Sequence, residues 1–164
     1  MGVAVKGPAC LASGERQWIV LYRTESAIAI TENTAITAPQ DTFVVPGGLL
    51  GPNSIIRGSL FITDAAGGNV TTRQNIGGVT DGDTFSLRAC NSGNSLYQIA
   101  YVWNQNSLTS QMATAENYVI NTGNTNNVNT FSVDTTQSFN ITLHGVTGAG
   151  VTGTFQWWQI EVLI

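Results

Sequence analysis

His144 is the one histidine in the chain, and a histidine is where a search for acid–base or metal chemistry begins. It stands in FNITLHGV, in phase with Asn140 and Thr142 and opposite Phe139, Ile141 and Leu143. Alternation therefore places it on the outward side of a half-exposed strand, with no serine or cysteine beside it. Asp81 and Asp83 flank Gly82 in VTDGDTF. Two carboxylates can cleave a glycoside, or hold calcium together with nearby carbonyls. Here they enter a strand from a turn, where Asp is chosen for local backbone hydrogen bonds, and the EF-hand spacing is absent. Cys10 and Cys90 are far apart in sequence, fit no zinc spacing and read as buried thiols. The glycine-rich PGGLLGPN and IGGVTDGD lack the Lys and Ser/Thr of a phosphate loop. These residues predict a protein that is not an enzyme, with no catalytic set, no metal and no cofactor.

The four tryptophans, 18, 103, 157 and 158, offer a different chemistry. With the four tyrosines they could stack on glycans, although in sheets such rings more often anchor cores and interfaces. The closing stretch GTFQWWQIEVLI alternates: Trp158, Ile160, Val162 and Ile164 share one face, and Phe155, Trp157, Gln159, Glu161 and Leu163 the other. One of the paired tryptophans then belongs to the core, and the other lies at a rim or under a neighbouring subunit. Trp157, Trp158, Ile160, Val162 and Ile164 are the candidate interface residues.

The elements that must carry these side chains are strands. Apolar residues make up 42% of the chain and charged residues 10%, with a net charge of −4. The charged fraction lies well below the roughly 25% of average domains, while β-branched and aromatic residues favour sheet. Basic residues are too few and scattered for nucleic acid or for an anionic membrane surface. No segment has the length of a membrane span, and the first residues are a weak match to a signal peptide. Low charge also suits a chain that buries Thr, Asn and Gln surface against its own copies.

Strand patterns run through WIVLYR, SAIAIT, DTFVV, SIIRGSLFIT, NVTTRQNI, TFSLRAC, SLYQIAYVW, NYVI, NTFSV, SFNITLHGV and the closing stretch. In TFSLRAC, Phe85, Leu87 and Ala89 share a face, and Gly58 should bend or bulge its long strand. Residues 107–118 could form a helical turn or an extended loop. Turns rich in Gly, Asn and Asp separate the strands. About ten short strands predict one all-β antiparallel sandwich or barrel, spanning 18–164 behind an N-terminal arm, 1–17.

One resemblance goes further than periodicity. Residues 20–63 resemble a segment of small β-sandwich proteins of tailed bacteriophage virions. A threonine-rich approach leads there to the turn Pro46-Gly47-Gly48-Leu49-Leu50-Gly51-Pro52-Asn53, then to a long strand with the pair Ile56-Arg57. Residues 133–164 are similar to that family's closing hairpin: a D-T-T turn, an alternating strand, a Gly-rich connection and a last strand. The connection GVTGAGVTG lacks the aspartate usual there. The resemblance implies an antiparallel jelly-roll-like β-sandwich, usually trimeric and non-enzymatic.

With one domain and no shaft ahead of it, the expectation is a capsid decoration (cement) protein on the exterior of the virion. Its partners would be its own copies and the major capsid protein, with no nucleic acid and no membrane. The arm, through Val3, Val5 and Leu11, would grip the shell as an added strand. The alternative is a tail fibre, spike-tip or head-fibre protein that binds a host glycan or receptor.

Overall fold

The structure, a computed structural model, describes residues 16–30, 39–78, 83–116 and 129–164, with only the backbone of 64–66 and 114–116. The described residues form eleven strands. They are β1 (Trp18–Arg23), β2 (Ile28–Ile30), β3 (Asp41–Val45), β4 (Ile55–Ala66), β5 (Val70–Ile76), β6 (Thr84–Cys90), β7 (Leu96–Asn104), β8 (Gln111–Glu116), β9 (Asn129–Phe131), β10 (Phe139–Val146) and β11 (Thr152–Leu163). Residues 107–109 bend and β8 follows from Gln111, so the described part of the stretch that could have formed a helical turn, 107–116, holds no helix. The NYVI segment, Val3, Val5, Cys10, Leu11 and Asp81 lie outside the described residues.

The larger sheet runs β1-β11-β4-β7-β8-β9, with β2 also paired to β11, and the smaller runs β3-β10-β5-β6. All pairings are antiparallel. Four of them nest: β5 with β6, β4 with β7, β3 with β10 and β1 with β11. That is a long ribbon folded over into two facing sheets, a jelly roll, whose large-sheet edge is widened by β8 and β9. Between the sheets lie Ile56, Leu60 and Ile62 of β4, Phe155, Trp158, Ile160 and Val162 of β11, and Val70, Ile76, Ile141 and Leu143 of the smaller sheet.

The two segments that carry the phage resemblance meet in space. The Gly48 amide donates to the Thr135 carbonyl at 2.9 Å, and the Gly47 amide to Ser138 Oγ at 3.2 Å. A Cβ on Gly47 would lie 2.5 Å from the Thr136 carbonyl oxygen, so this turn approaches too closely for any side chain. Leu50 of the same turn is buried in the core.

Two bulges overturn the simple alternation. Phe155 pairs with Ile62 and Trp157 with Phe61, leaving Gln156 as the extra residue of β11. Phe155 therefore turns inward with Trp158 rather than outward with Trp157. In β6, Ser86 pairs with Gln74 and Thr84 with Asn75, so Phe85 is extra. Phe85 is buried, while Leu87, expected on the same face, is 57% exposed. Gly58 neither bends nor bulges its strand: it pairs regularly with Ile160 and Ala100. Its reason is proximity, since a Cβ there would overlap the Gln74 carboxamide.

Candidate functional site

The outer face of the larger sheet carries the concentration of aromatic side chains. Pairing registers set β7, β4, β11 and β1 side by side, and alternation sends every second residue outward. At one end Trp18, Leu163, Ile55, Trp103 and Met112 fall in line across five strands. All five are apolar and partly exposed. A solvated face of an antiparallel sheet normally reads polar at such positions.

The next line inward holds the Arg57–Glu161 ion pair. Arg57 Nε and Nη2 donate to the Glu161 carboxylate at 2.6 and 2.7 Å, a bidentate geometry that fixes both side chains. The guanidinium also lies 4.3 Å from the centre of the Trp18 ring. Glu161 is buried, so Arg57 and the strands on either side shield it from water. The pair separates the apolar line from the far end of the face, where Trp157, Phe61 and Tyr97 align.

At that far end β1 stops at Arg23 and β2 starts at Ile28, and beside this break lies the Gln156 bulge. Thr24 ties the two irregularities together: its amide donates to the Trp158 carbonyl, and its Oγ1 accepts from the Trp158 amide, both at 2.9 Å. The result is a groove of about 510 Å³ lined by Val20, Tyr22, Arg23, Thr24, Glu25, Gln156 and Trp157. Arg23 sits 5.7 Å from the centre of the Trp157 ring, and the Tyr97 ring lies 5.8 Å from it on the sheet side. Gln156 Nε2 donates to Thr63 Oγ1 at 2.6 Å, which steers its carboxamide. Beneath, Tyr22 donates to Asp41 at 2.7 Å and stacks on Phe43. Its phenol is pushed up to about 12, first by burial and then by its hydrogen bond to Asp41.

A second cleft, of about 650 Å³, opens at the end of the sandwich between β9 and β10, with Asp83, Asp134, Gln137 and Asn140 among its lining. Hydrogen bonds from the hydroxyl and amide of Thr136 hold the exposed Asp134 carboxyl below its usual range. Asp83 packs its carboxylate against Gly78. No cluster of metal-ligating residues forms among the described residues.

His144 is a correction. It is 1% exposed, not a surface residue, because this part of the smaller sheet's outer face is covered and Asn75, Thr84 and Thr142 beside it are buried too. Gln40, immediately before β3, is tied to β10, its amide donating to the Leu143 carbonyl at 2.9 Å. The Gln40 side chain meanwhile exchanges hydrogen bonds with both backbone groups of Gly145, at 3.0 and 2.6 Å. Nε2 of His144 lies 2.8 Å from Thr142 Oγ1. Burial, and then the charge of Arg73 on the adjacent strand, push the imidazole below its ordinary value and keep it neutral.

The expected interface residues divide. Trp158, Ile160 and Val162 are fully buried within the chain's own core, where they cannot meet a partner. Trp158 Nε1 donates to Gln74 Oε1 at 3.0 Å in the core. Trp157 and Ile164 stay partly exposed. Sequence reasoning missed the alignment of Trp18, Ile55, Trp103, Met112 and Leu163, and the groove residues Arg23, Glu25 and Gln156. Only register brings them together, and their one sequence signal was the phase of Trp103 and Leu163 in their own strands. Cys90 is buried, its Sγ 3.2 Å from the Asn94 carbonyl. No helix among the described residues is long and apolar enough to cross a membrane.

No protein-family model and no curated protein matches the chain. A solved structure that it resembles is the alginate lyase from Alteromonas sp. 272, at 9% identity and a TM-score of 0.37, over 84% of this chain and 89% of that one.

Proposed function

We propose that this protein is a structural component of a phage virion, a capsid decoration protein that binds the outer shell as a trimer and stabilises it, without enzymatic activity. The observation that carries the reading is the apolar line Trp18–Leu163–Ile55–Trp103–Met112 at one end of the large sheet. Five partly exposed side chains, three of them aromatic or sulfur-bearing, form the kind of anchor row that interfaces bury. The low charge of the chain supports the same conclusion, since few ionised groups would be desolvated by close association. The phage setting comes from the resemblance of 20–63 and 133–164. Those two stretches contain the turns that lock together at one end of the sandwich.

In this role each trimer bridges neighbouring shell subunits, and burial of the row contributes roughly 25 cal/mol per Å² of apolar surface before association costs. Binding to the assembled shell stabilises only that state. Particles lacking the protein should assemble yet release DNA at lower temperature. The test is the copy number and position in purified virions, together with sedimentation of the isolated chain. Hundreds of copies on the head and a trimer that Trp103→Ser dissociates are the expected results. A few copies at the tail transfer the protein to the fibre-tip class, and a monomer whose shell binding ignores Trp103→Ser removes the row from the interface.

A further inference from the structure

The groove at the opposite end of the same face has a composition unlike the apolar row, and the two differ in what they can bind. We infer that the Trp157 groove is a carbohydrate subsite for a neutral pyranose. An indole ring offers an apolar plane for the C–H face of a sugar ring, and planar polar side chains around it match vicinal hydroxyls. Trp157, with the Arg23 guanidinium 5.7 Å from its ring centre, supplies the plane, and Tyr97, 45% exposed and 5.8 Å away with its ring tilted 54° to the indole, adds a second aromatic contact at an angle. Arg23 and Glu25 stand exposed on the groove wall, and neither takes part in an ion pair among the described residues. Arg23 brings five N–H donors and Glu25 two acceptor oxygens. The Gln156 carboxamide oxygen is aimed by the Thr63 contact of its own nitrogen.

The charges of Arg23 and Glu25 cancel, so the site lacks the field that would hold a polyanion. Its volume of about 510 Å³ lies within the roughly 300–1,000 Å³ of small-ligand sites. The groove also depends on two local departures from a regular sheet, the Gln156 bulge and the break between β1 and β2. Bulges concentrate where a side chain must be re-aimed beside a site. The extra residue sets the exposed Gln156 beside Trp157 on the outer side while Phe155 and Trp158 both stay in the core.

The inference does not rest on the virion role and is tested on the isolated full chain. Cellotetraose, maltotetraose, mannotetraose and chitotetraose are titrated by calorimetry, with saturation-transfer NMR reading which sugar protons touch the protein. At least one tetraose should bind, with transfer strongest at the ring C–H protons. Trp157→Ala should weaken it by at least ~10-fold, as loss of a stacked aromatic does. Arg23→Ala, which removes an exposed side chain and leaves folding untouched, should weaken it several-fold. Trp103→Ser, in the apolar row, should leave the titration unchanged, so failure here and failure of the assembly reading are distinguishable. Absence of a signal from all four sugars overturns the inference. So does binding that survives both Trp157→Ala and Arg23→Ala.

Discussion

Gly58→Ala is the sharpest probe of the core. Glycine in a strand interior normally weakens it by roughly 0.5–1 kcal/mol relative to alanine, so a regularly paired Gly58 invites a stabilising substitution. The structure predicts the reverse. The new methyl would overlap Gln74 Oε1 and lie 3.1 Å from Gln74 Cδ and 3.2 Å from Phe85 Cε2. Gln74 is 0% exposed and has no solvent side to move toward. Its carboxamide accepts from Trp158 Nε1 at 3.0 Å and donates to Ser86 Oγ at 3.3 Å. Displacing it leaves a buried indole N–H without its acceptor, which costs about 1–3 kcal/mol, and compresses a packed interior, about 1–3 more. Subtracting the glycine gain leaves a loss of about 3 kcal/mol, or roughly 6–12 °C in Tm for a domain of this size.

Urea unfolding followed by tryptophan fluorescence, at one fixed protein concentration, measures it. The companion variant Gln74→Ala removes the obstacle, so in the double variant the added methyl should cost far less than in the wild type. The coupling should be about 1–3 kcal/mol, as for residues in direct contact. A neutral or stabilising Gly58→Ala, or strict additivity with Gln74→Ala, would refute the close approach and the buried amide network together.

Two titrations add to this. The Tyr22 phenol, held near 12 in the fold, ionises near 10 when unfolded. The native state thus binds the extra proton between pH 10 and 12, and stability falls as pH rises through that window. The loss should be on the order of 1 kcal/mol after screening at a partly exposed site, and Tyr22→Phe should flatten the slope in alkaline urea melts. His144 has the opposite window. Its folded value is depressed by burial and by Arg73, so the unfolded chain takes up the proton first on acidification. Stability should decline as pH falls below about 6.5, and His144→Gln should remove that component from the pH profile of the urea midpoint.

Sequence alone determined that the protein is built of antiparallel strands, because period-two patterning and Gly/Asn turns are local properties of the chain. It also separated Trp157 from Trp158, and placed Trp158, Ile160 and Val162 on a shared face, since that stretch of β11 alternates without interruption. The jelly-roll topology followed from resemblance, and the nested pairings agree with it. What failed did so where a local rule met a tertiary fact. Phe155 and Leu87 were assigned by parity, and a single unpaired residue, Gln156 in one strand and Phe85 in the other, reverses parity for everything beyond it. His144 was assigned outward by phase, and phase says which side of a sheet a residue faces, not whether that side is covered. Gly58 was assigned a bulge from its type, yet its cause lies in Gln74 on the opposite sheet. The same limit hid the apolar row and the Trp157 groove. Trp18, Ile55, Trp103, Met112 and Leu163 become one surface, and Arg23, Gln156 and Trp157 one groove, only once the register of separate strands sets them side by side, and register is a property of pairs of strands rather than of any one.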